Sequence, residues 1–449
     1  MKTDKRQNQK QELKAINEAL FQELKANEHM TLSYSGEESL FVRISQSKIC
    51  QASDITQGYL SMSFISGHRR TESLFSITGE FEEDLNRALK ILRNCREECK
   101  SLPEDPYIVL PEAGENTDED YYGKLPQMES LPETLLNPAV SYDLAGLFAA
   151  GTLMRSYMNS KGQFHWFSTE NFCFDYSLYT PSQKAIKAAY ASNEWQDAGY
   201  LSNLQQAKDQ LKILERTSRK LTPGKYRAYF APAAVGEFVS VLSGWSGLSG
   251  KALMQGNSPL KKLSEGTASL SPLFSLDDDF HQGLVPRFNE FGDSSSLRVP
   301  LINKGKLHSP LINRRTAQEY SLQSNAANLS ESLRSPIIHP GNLKEEKILQ
   351  SIGEGLYISN LHYLNWSDLQ HGRITGMTRY GCFWVENGEI VSPIHDIRFD
   401  ETLYHFWGDP LEGLSEQVEL VPHTSSYGER SLGGISTPGM LVNDFTFTF

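Results

Sequence analysis

The chain has 449 residues, 39% hydrophobic and 22% charged, the composition of an ordinary soluble globular protein with room for two or three domains. Its formal net charge of −12 argues against a non-specific nucleic-acid binder, which needs a basic surface. There is no run of about 18 apolar residues to cross a membrane and no charged segment leading into an apolar leader, and the cysteine count is odd, so reduced thiols in a cytoplasm are expected.

Residues 9–27 predict a helix, with Leu13, Ile16, Leu20 and Leu24 at helical spacing and a solvated start among the mixed charges of residues 2–14. Residues 40–44, 59–65 and 73–77 are short alternating runs separated by Gly and Ser, which predicts an antiparallel meander. Helix returns over 82–99, where Leu85, Leu89, Leu92, Cys95 and Cys99 share a face. Cys95 and Cys99 are one turn apart, as metal ligands can be, but they continue a leucine stripe and read as core. Residues 102–138, rich in Pro, Glu and Asp, read as an irregular connection. Residues 141–157, rich in small side chains, read as a helix, residues 163–179 as strands and residues 207–219 as a helix. Leu221-Thr222-Pro223-Gly224 then interrupts the pattern, and the domain boundary is placed there.

The second half opens with a strand over 225–230 and a helix starting near Pro232, which suits a first helical turn. Val235, Phe238, Val239 and Leu242 form its apolar stripe. Residues 243–271 are Gly- and Ser-rich and read as mobile; a phosphate loop at 244–251 is excluded by wrong spacing and by Ala252 where a hydroxyl would hold magnesium. The acid run Asp277-Asp278-Asp279 reads as solvated rather than as a calcium site. Turn residues then recur at strand spacing to the end, where residues 442–449 close with strict alternation from Asp444. A β-dominated barrel or sandwich is expected.

Residues 353–399 carry the densest signals. An apolar run at 356–358 leads into a polar-aromatic stretch, residues 362–368, read as a long loop. A second run over 377–386 ends at Asn387-Gly388, the strongest short-range hairpin signal. Strand, loop, strand, tight turn, strand is the expected order. His362, Asn365, Trp366, Asp368, Arg373 and Arg379 combine residue types common at recognition surfaces and are the candidate peptide-cleft residues; the other use of such aromatics is to fill a barrel mouth. The spacing of His362, His371, His395 and His405 matches no helical ligand pair. No nucleophile elbow occurs.

Gly355-Leu356-Tyr357, Gly372-Arg373, the run from Gly381 through Cys382 and Trp384 to Ile390, and Pro393-Ile394 together resemble the carboxy-terminal half of the TldD/PmbA family. The resemblance runs over residues 226–449 and is weaker but colinear before that. In this family a TldD-type zinc metallopeptidase subunit pairs with a TldE (PmbA)-type subunit. Zinc-bearing members carry His-Glu-x-x-x-His on the first helix of the second domain and a late cysteine. Here the matching positions read Pro232, Ala233 and Glu237, no His-Glu dipeptide occurs, and no cysteine follows Cys382. The resemblance also places residues 271–289 in the family's central segment, which lines the substrate cleft of zinc-bearing members.

The expected fold is therefore α+β in two domains. Residues 1–220 form an antiparallel sheet with helices, and residues 221–449 a β-rich, barrel- or sandwich-like unit. The resemblance implies a metal-free TldE/PmbA-like subunit with no catalytic residue and no cofactor of its own. Zinc would enter only through a TldD-like partner, and the pair would act on unfolded or extended peptides. Two alternatives stay open: an independent homodimeric peptide-binding protein, and a hydrolase with a non-metal site or a metal site relocated among His362, His371, His395 and Cys382. No nucleic-acid or membrane partner is expected.

Overall fold

The computed structural model describes residues 5–448. Lys2 and Phe449, the ends of two predicted elements, lie outside the described residues. Helix α1 (Lys5–Gln22) leads into three antiparallel strands, β1 (Glu28–Ser45), β2 (Lys48–Ser66) and β3 (Arg69–Ser76), the predicted meander, and then α2 (Phe81–Cys99). Cys95 and Cys99 are buried beside Leu92, in a core that α1 and α2 share with β1 to β3. The expected irregular connection contains a short strand, β4 (Thr117–Tyr121), and a short helix, α3 (Leu131–Leu136). Strands β5 (Asp143–Asn159), β6 (Phe164–Tyr179) and β7 (Ala185–Ser192) complete a seven-stranded sheet, and α4 (Asp197–Leu214) packs with α3 over its far end.

Strand β5 corrects the helix expected over 141–157. It runs between β1 and β6 and pairs with both along most of its length. Its small residues answer to close strand neighbours, not to helix packing. A Cβ at Gly146 would lie 2.6 Å from the Asp175 carbonyl, and one at Gly151, where φ is +149°, would lie 2.0 Å from the Glu38 carbonyl. Tertiary pairing overrides the local preference.

From residue 224 the chain builds two further sheets. Strand β8 (Gly224–Phe230) and helix α5 (Pro232–Gly244) are followed by short helices α6 (Gly250–Met254) and α7 (Lys261–Ser264). The stretch read as mobile is thus packed: Leu248, Ala252, Leu260, Leu263 and Leu270 are all buried. Strands β9 (Leu276–Asp279), β10 (Arg298–Asn303) and β11 (Lys306–Leu307), helix α8 (Arg314–Tyr320) and strand β12 (Pro336–Ile338) come next. The acid run is not solvated. Asp277 and Asp278 are 2% and 1% exposed; Asp278 accepts the Arg334 amide at 3.1 Å, and Asp277 pairs with Arg298 and with His339 at 2.7 Å.

After helix α9 (Ile348–Ile352) come strands β13 (Gly355–Asp368), β14 (Arg373–Glu386), β15 (Glu389–Pro393) and β16 (Arg398–Thr402). Helix α10 (Leu403–Phe406) and strands β17 (Leu411–Leu414), β18 (Glu419–Pro422), β19 (Gly434–Thr437) and β20 (Met440–Phe447) finish the chain. The order β13-β8-β20-β16-β14 closes on itself through the β13–β14 pairing, so these five strands form a barrel, with β15 continuing outward from β14. Helix α5 packs with the barrel core through Val235, Phe238, Val239 and Leu242, each fully buried. Phe445 and Phe447 are the buried face of the closing strand. Asn387 and Gly388 take φ of +52° and +76°, the turn their pairing predicts. The six-stranded sheet, order β11-β10-β9-β12-β19-β18, lies beside the barrel.

The loop expected at 362–368 is instead the outer half of β13. Asn365 pairs with Thr375, Trp366 with Ile374 and Asp368 with Arg373, with a register shift between His362 and Asn365. Its polar residues belong to the exposed face of a strand: Asn365 and Ser367 are exposed, while Leu364 and Trp366 lean on the barrel core.

Candidate functional site

Helix α5 starts at a proline whose missing N–H costs nothing in a first turn. Its apolar stripe is turned inward, which leaves Ala233 half-buried and Glu237, one turn on, exposed on the same side. Pro232 and Ala233 line a cleft of about 140 Å3. Its other walls are Tyr357, Ser359 and Asn360 on the outside of β13, the residues around Lys187 on β7, residues 203–210 of α4, and Glu419 to Pro422 on β18. Two more cavities continue it. One of about 60 Å3 shares Leu420 and Pro422 with the first and lies under the β18–β19 loop, residues 423–433. The next, about 670 Å3, shares Leu147, Asp175 and Ser426 with the second. Together they form one groove across the first sheet, ending at the start of α5. Strands β7 and β18 border it, and among the described residues each has a partner strand on one side only.

Where the groove meets α5 its walls carry Glu419 and Lys187, and Glu237 stands one turn along the helix. Burial pushes the Glu237 carboxyl above the usual range, and burial together with the Glu345 charge does the same for Glu419. Burial pushes the His423 imidazole below its usual range. All three residues are exposed, so solvent moderates these shifts. Cys173, also on the wall, has its thiol pushed up to about 12 by burial and is no nucleophile near neutral pH.

The positions that match the family's zinc motif do not fit a zinc ion. Proline and alanine side chains carry no donor atom, and Glu237 alone supplies neither a ligand set nor a separate base. Among the described residues no group of three or more His, Cys, Asp and Glu is close enough to hold a metal. A relocated set finds no support either. His371 pairs with Asp368 at 2.8 Å in the β13–β14 turn, while Cys382 is buried, its Sγ 3.3 Å from the Arg379 carbonyl and its thiol pushed up to about 11 by burial.

The structure divides the six candidate cleft residues. His362 and Arg379 lie together on the outer face of β13 and β14, with Asn360 directly opposite Arg379 and lining the cleft. Asp396, which the sequence did not single out, faces both, and burial raises its carboxyl against their pull. Burial and the Arg379 charge lower the His362 imidazole. The other four sit further along the ribbon. Arg373 pairs with Asp400 at 3.1 Å, Asp368 holds His371, Asn365 Oδ1 accepts the Trp366 amide at 2.8 Å, and the Trp366 ring packs against the barrel core.

Sequence reasoning also missed the roof of the groove. The β18–β19 loop is tied to the first sheet by Arg430, which is buried against Glu37 and bonds Ser39 Oγ at 2.9 Å and the Gly151 carbonyl at 3.1 Å. Glu429 accepts from Arg155 at 2.9 Å. No local pattern marks these residues, because their partners lie hundreds of positions away.

Residues 223–448, just over half of the chain, match the family described as "PmbA/TldA metallopeptidase C-terminal domain". No curated protein sequence matches. Among solved structures the whole fold recurs in TldE from Thermococcus kodakarensis, at 14% identity and a TM-score of 0.75 over 98% of this chain and 100% of that one. It recurs in a candidate DNA gyrase modulator from Thermotoga maritima, at 14% identity and a TM-score of 0.77 over 97% of this chain and 100% of that one. A protein of the same description from Bacteroides thetaiotaomicron gives 17% identity and a TM-score of 0.76 over 100% of both chains. At these identities the likeness is one of fold. Taken with the family match, it shows that this chain belongs to the TldD/PmbA family.

Proposed function

We propose that this chain is the metal-free, TldE/PmbA-like subunit of a two-subunit metallopeptidase, and that it takes part in the proteolysis of unfolded or extended peptides beside a zinc-bearing TldD-like subunit. The observation that carries this reading is the cleft at the start of α5, which is lined by Pro232 and Ala233, two of the motif positions, where no side chain can bind a metal. The division of labour follows from chemistry. Hydrolysis through zinc needs ligands, an open position and a base, which the partner would supply. This chain would supply walls and main-chain edges. Among the described residues, strands β7 and β18 each have a hydrogen-bonded partner strand on one side only and border the groove, and an extended peptide can add to such an edge whatever its side chains.

The reading includes a cytoplasmic setting and a division into residues 1–220 and 221–449. The described strands of the first sheet come from residues 28–192 and those of the other two from residues 224–447, which supports that boundary. Among the described residues no helix is long and apolar enough to cross a membrane. Co-expression of this chain with a zinc-bearing family member from the same source tests the pairing. Light scattering should give a mass equal to the sum of the two chains. A stable homodimer that ignores the zinc-bearing protein would favour the independent peptide binder instead.

A further inference from the structure

Arg379 is exposed, and among the described residues its guanidinium has no carboxylate within ion-pairing distance, unlike Arg373 with Asp400. It lies over the Tyr380 ring, 4.8 Å from the centroid. Consecutive strand residues normally point to opposite faces. Here a bulge breaks the alternation: Ile358 pairs with Cys382 and Asn360 with Arg379, so Tyr380 and Gly381 together oppose Ser359. Tyr380 takes φ of +63°, sparsely populated for an aromatic residue, and such strain persists where the surroundings hold it in place. The result is a guanidinium stacked on one face with its N–H edge free, the form in which arginine takes a carboxylate through two parallel bonds.

Its position relates it to the cleft. Asn360, directly across from Arg379, is a wall of that cleft beside Pro232 and Ala233. Glu419 is another wall, and with Glu345 it clusters near Tyr357, three residues back along β13 and about 10 Å away. Glu419 therefore disfavours a carboxylate on its side of the cleft, where the one lining cation among the described residues, Lys187, is already paired with Asp175, and Arg379, across the strand pair from Asn360, offers a free donor pair at the rim. Asp396 faces Arg379 from beyond ion-pairing distance, and His362, held below the usual histidine range, adds little competing charge near neutral pH.

We propose that Arg379 is a carboxylate anchor, which binds an acidic group of an extended peptide lying in the cleft and orients that group towards β14 and away from Glu419. The inference rests on the peptide-binding reading above. The carboxylate is either the α-carboxylate of a chain end or an acidic side chain. The test uses three fluorescein-labelled, ten-residue Gly/Ser peptides: one with a free carboxy terminus, one amidated, and one amidated with an internal Glu. Binding to the full chain is read by anisotropy. The free or the Glu-bearing peptide should bind about tenfold tighter than the amidated one, as a charge-assisted pair provides, and whichever does so names the source. Arg379→Gln should abolish the preference, Arg379→Lys should keep part of it, and Arg373→Gln should leave it intact, with melting temperatures of the Arg379 variants unchanged. Equal binding of all three peptides to the wild type, or a preference that survives Arg379→Gln, would overturn the anchor alone. A wild type that binds none of them would overturn the peptide reading along with it.

Discussion

Arg430 is buried against Glu37, 393 positions earlier in the chain. The Arg430 amide donates to Glu37 Oε2 at 3.2 Å, and its Nε lies 3.4 Å from Oε1. Their side chains are 6% and 0% exposed. This pair fastens the β18–β19 loop over the groove. Removing one member leaves the other charged and dry, which costs about 3–5 kcal/mol. Arg430→Ala should therefore shift the urea midpoint strongly, and Glu37→Gln, which keeps an acceptor, should shift it less. A loss below about 1 kcal/mol for Arg430→Ala would show that the loop is held by other contacts.

His165 gives a pH dependence. It is fully buried, bonds the Gly292 carbonyl at 3.0 Å and stacks on Phe288, and burial lowers its pKa. Below the unfolded value of about 6.5 the unfolded chain takes up a proton that the folded chain refuses, so stability falls as pH drops through that window and levels off below the folded pKa. His29, His362 and His423 are shifted the same way and add to the slope. Denaturation at pH 7.5, 6.5 and 5.5 should show the loss, and His165→Gln should flatten it. A slope unchanged in that variant would remove His165 from the account.

Trp366 packs against the barrel core, and its buried Nε1 has no hydrogen-bond partner among the described residues. Trp366→Ala should lower stability by about 2 kcal/mol, less than for a fully buried tryptophan, and leave peptide affinity per folded molecule unchanged. A loss of affinity with full stability would return Trp366 to the binding surface.

How far the sequence could be read depended on whether the decisive neighbours were local. The Asn387-Gly388 turn, the stripe of α5 and the closing alternation through Phe445 and Phe447 each depend on a few adjacent residues, and each is present as expected. Strand β5 was misread because its glycines respond to Glu38 and Asp175 on neighbouring strands. The outer half of β13 is polar and aromatic like a loop, yet Leu364 and Trp366 alternate with exposed Asn365 and Ser367 as in a strand with one buried face. The departure at Pro232, Ala233 and Glu237 was legible in full. The cleft that Pro232 and Ala233 line was not, because its other walls come from β7, α4, β13 and β18.

On the proposed reading, hydrolysis requires a second, zinc-bearing chain. The most direct measurement is cleavage of an unstructured fluorogenic peptide by this chain alone, by a TldD-like subunit from the same source alone, and by the two mixed, each with and without a chelator. Pro232 and Ala233 offer no ligand atoms, and one carboxylate does not hold zinc against water. This chain alone should therefore be inactive and carry far less than one zinc per molecule. The mixture should cleave well above either chain, the chelator should abolish that activity, and Glu237→Ala should barely change it. Chelator-sensitive cleavage by this chain alone, with stoichiometric zinc, would contradict the account.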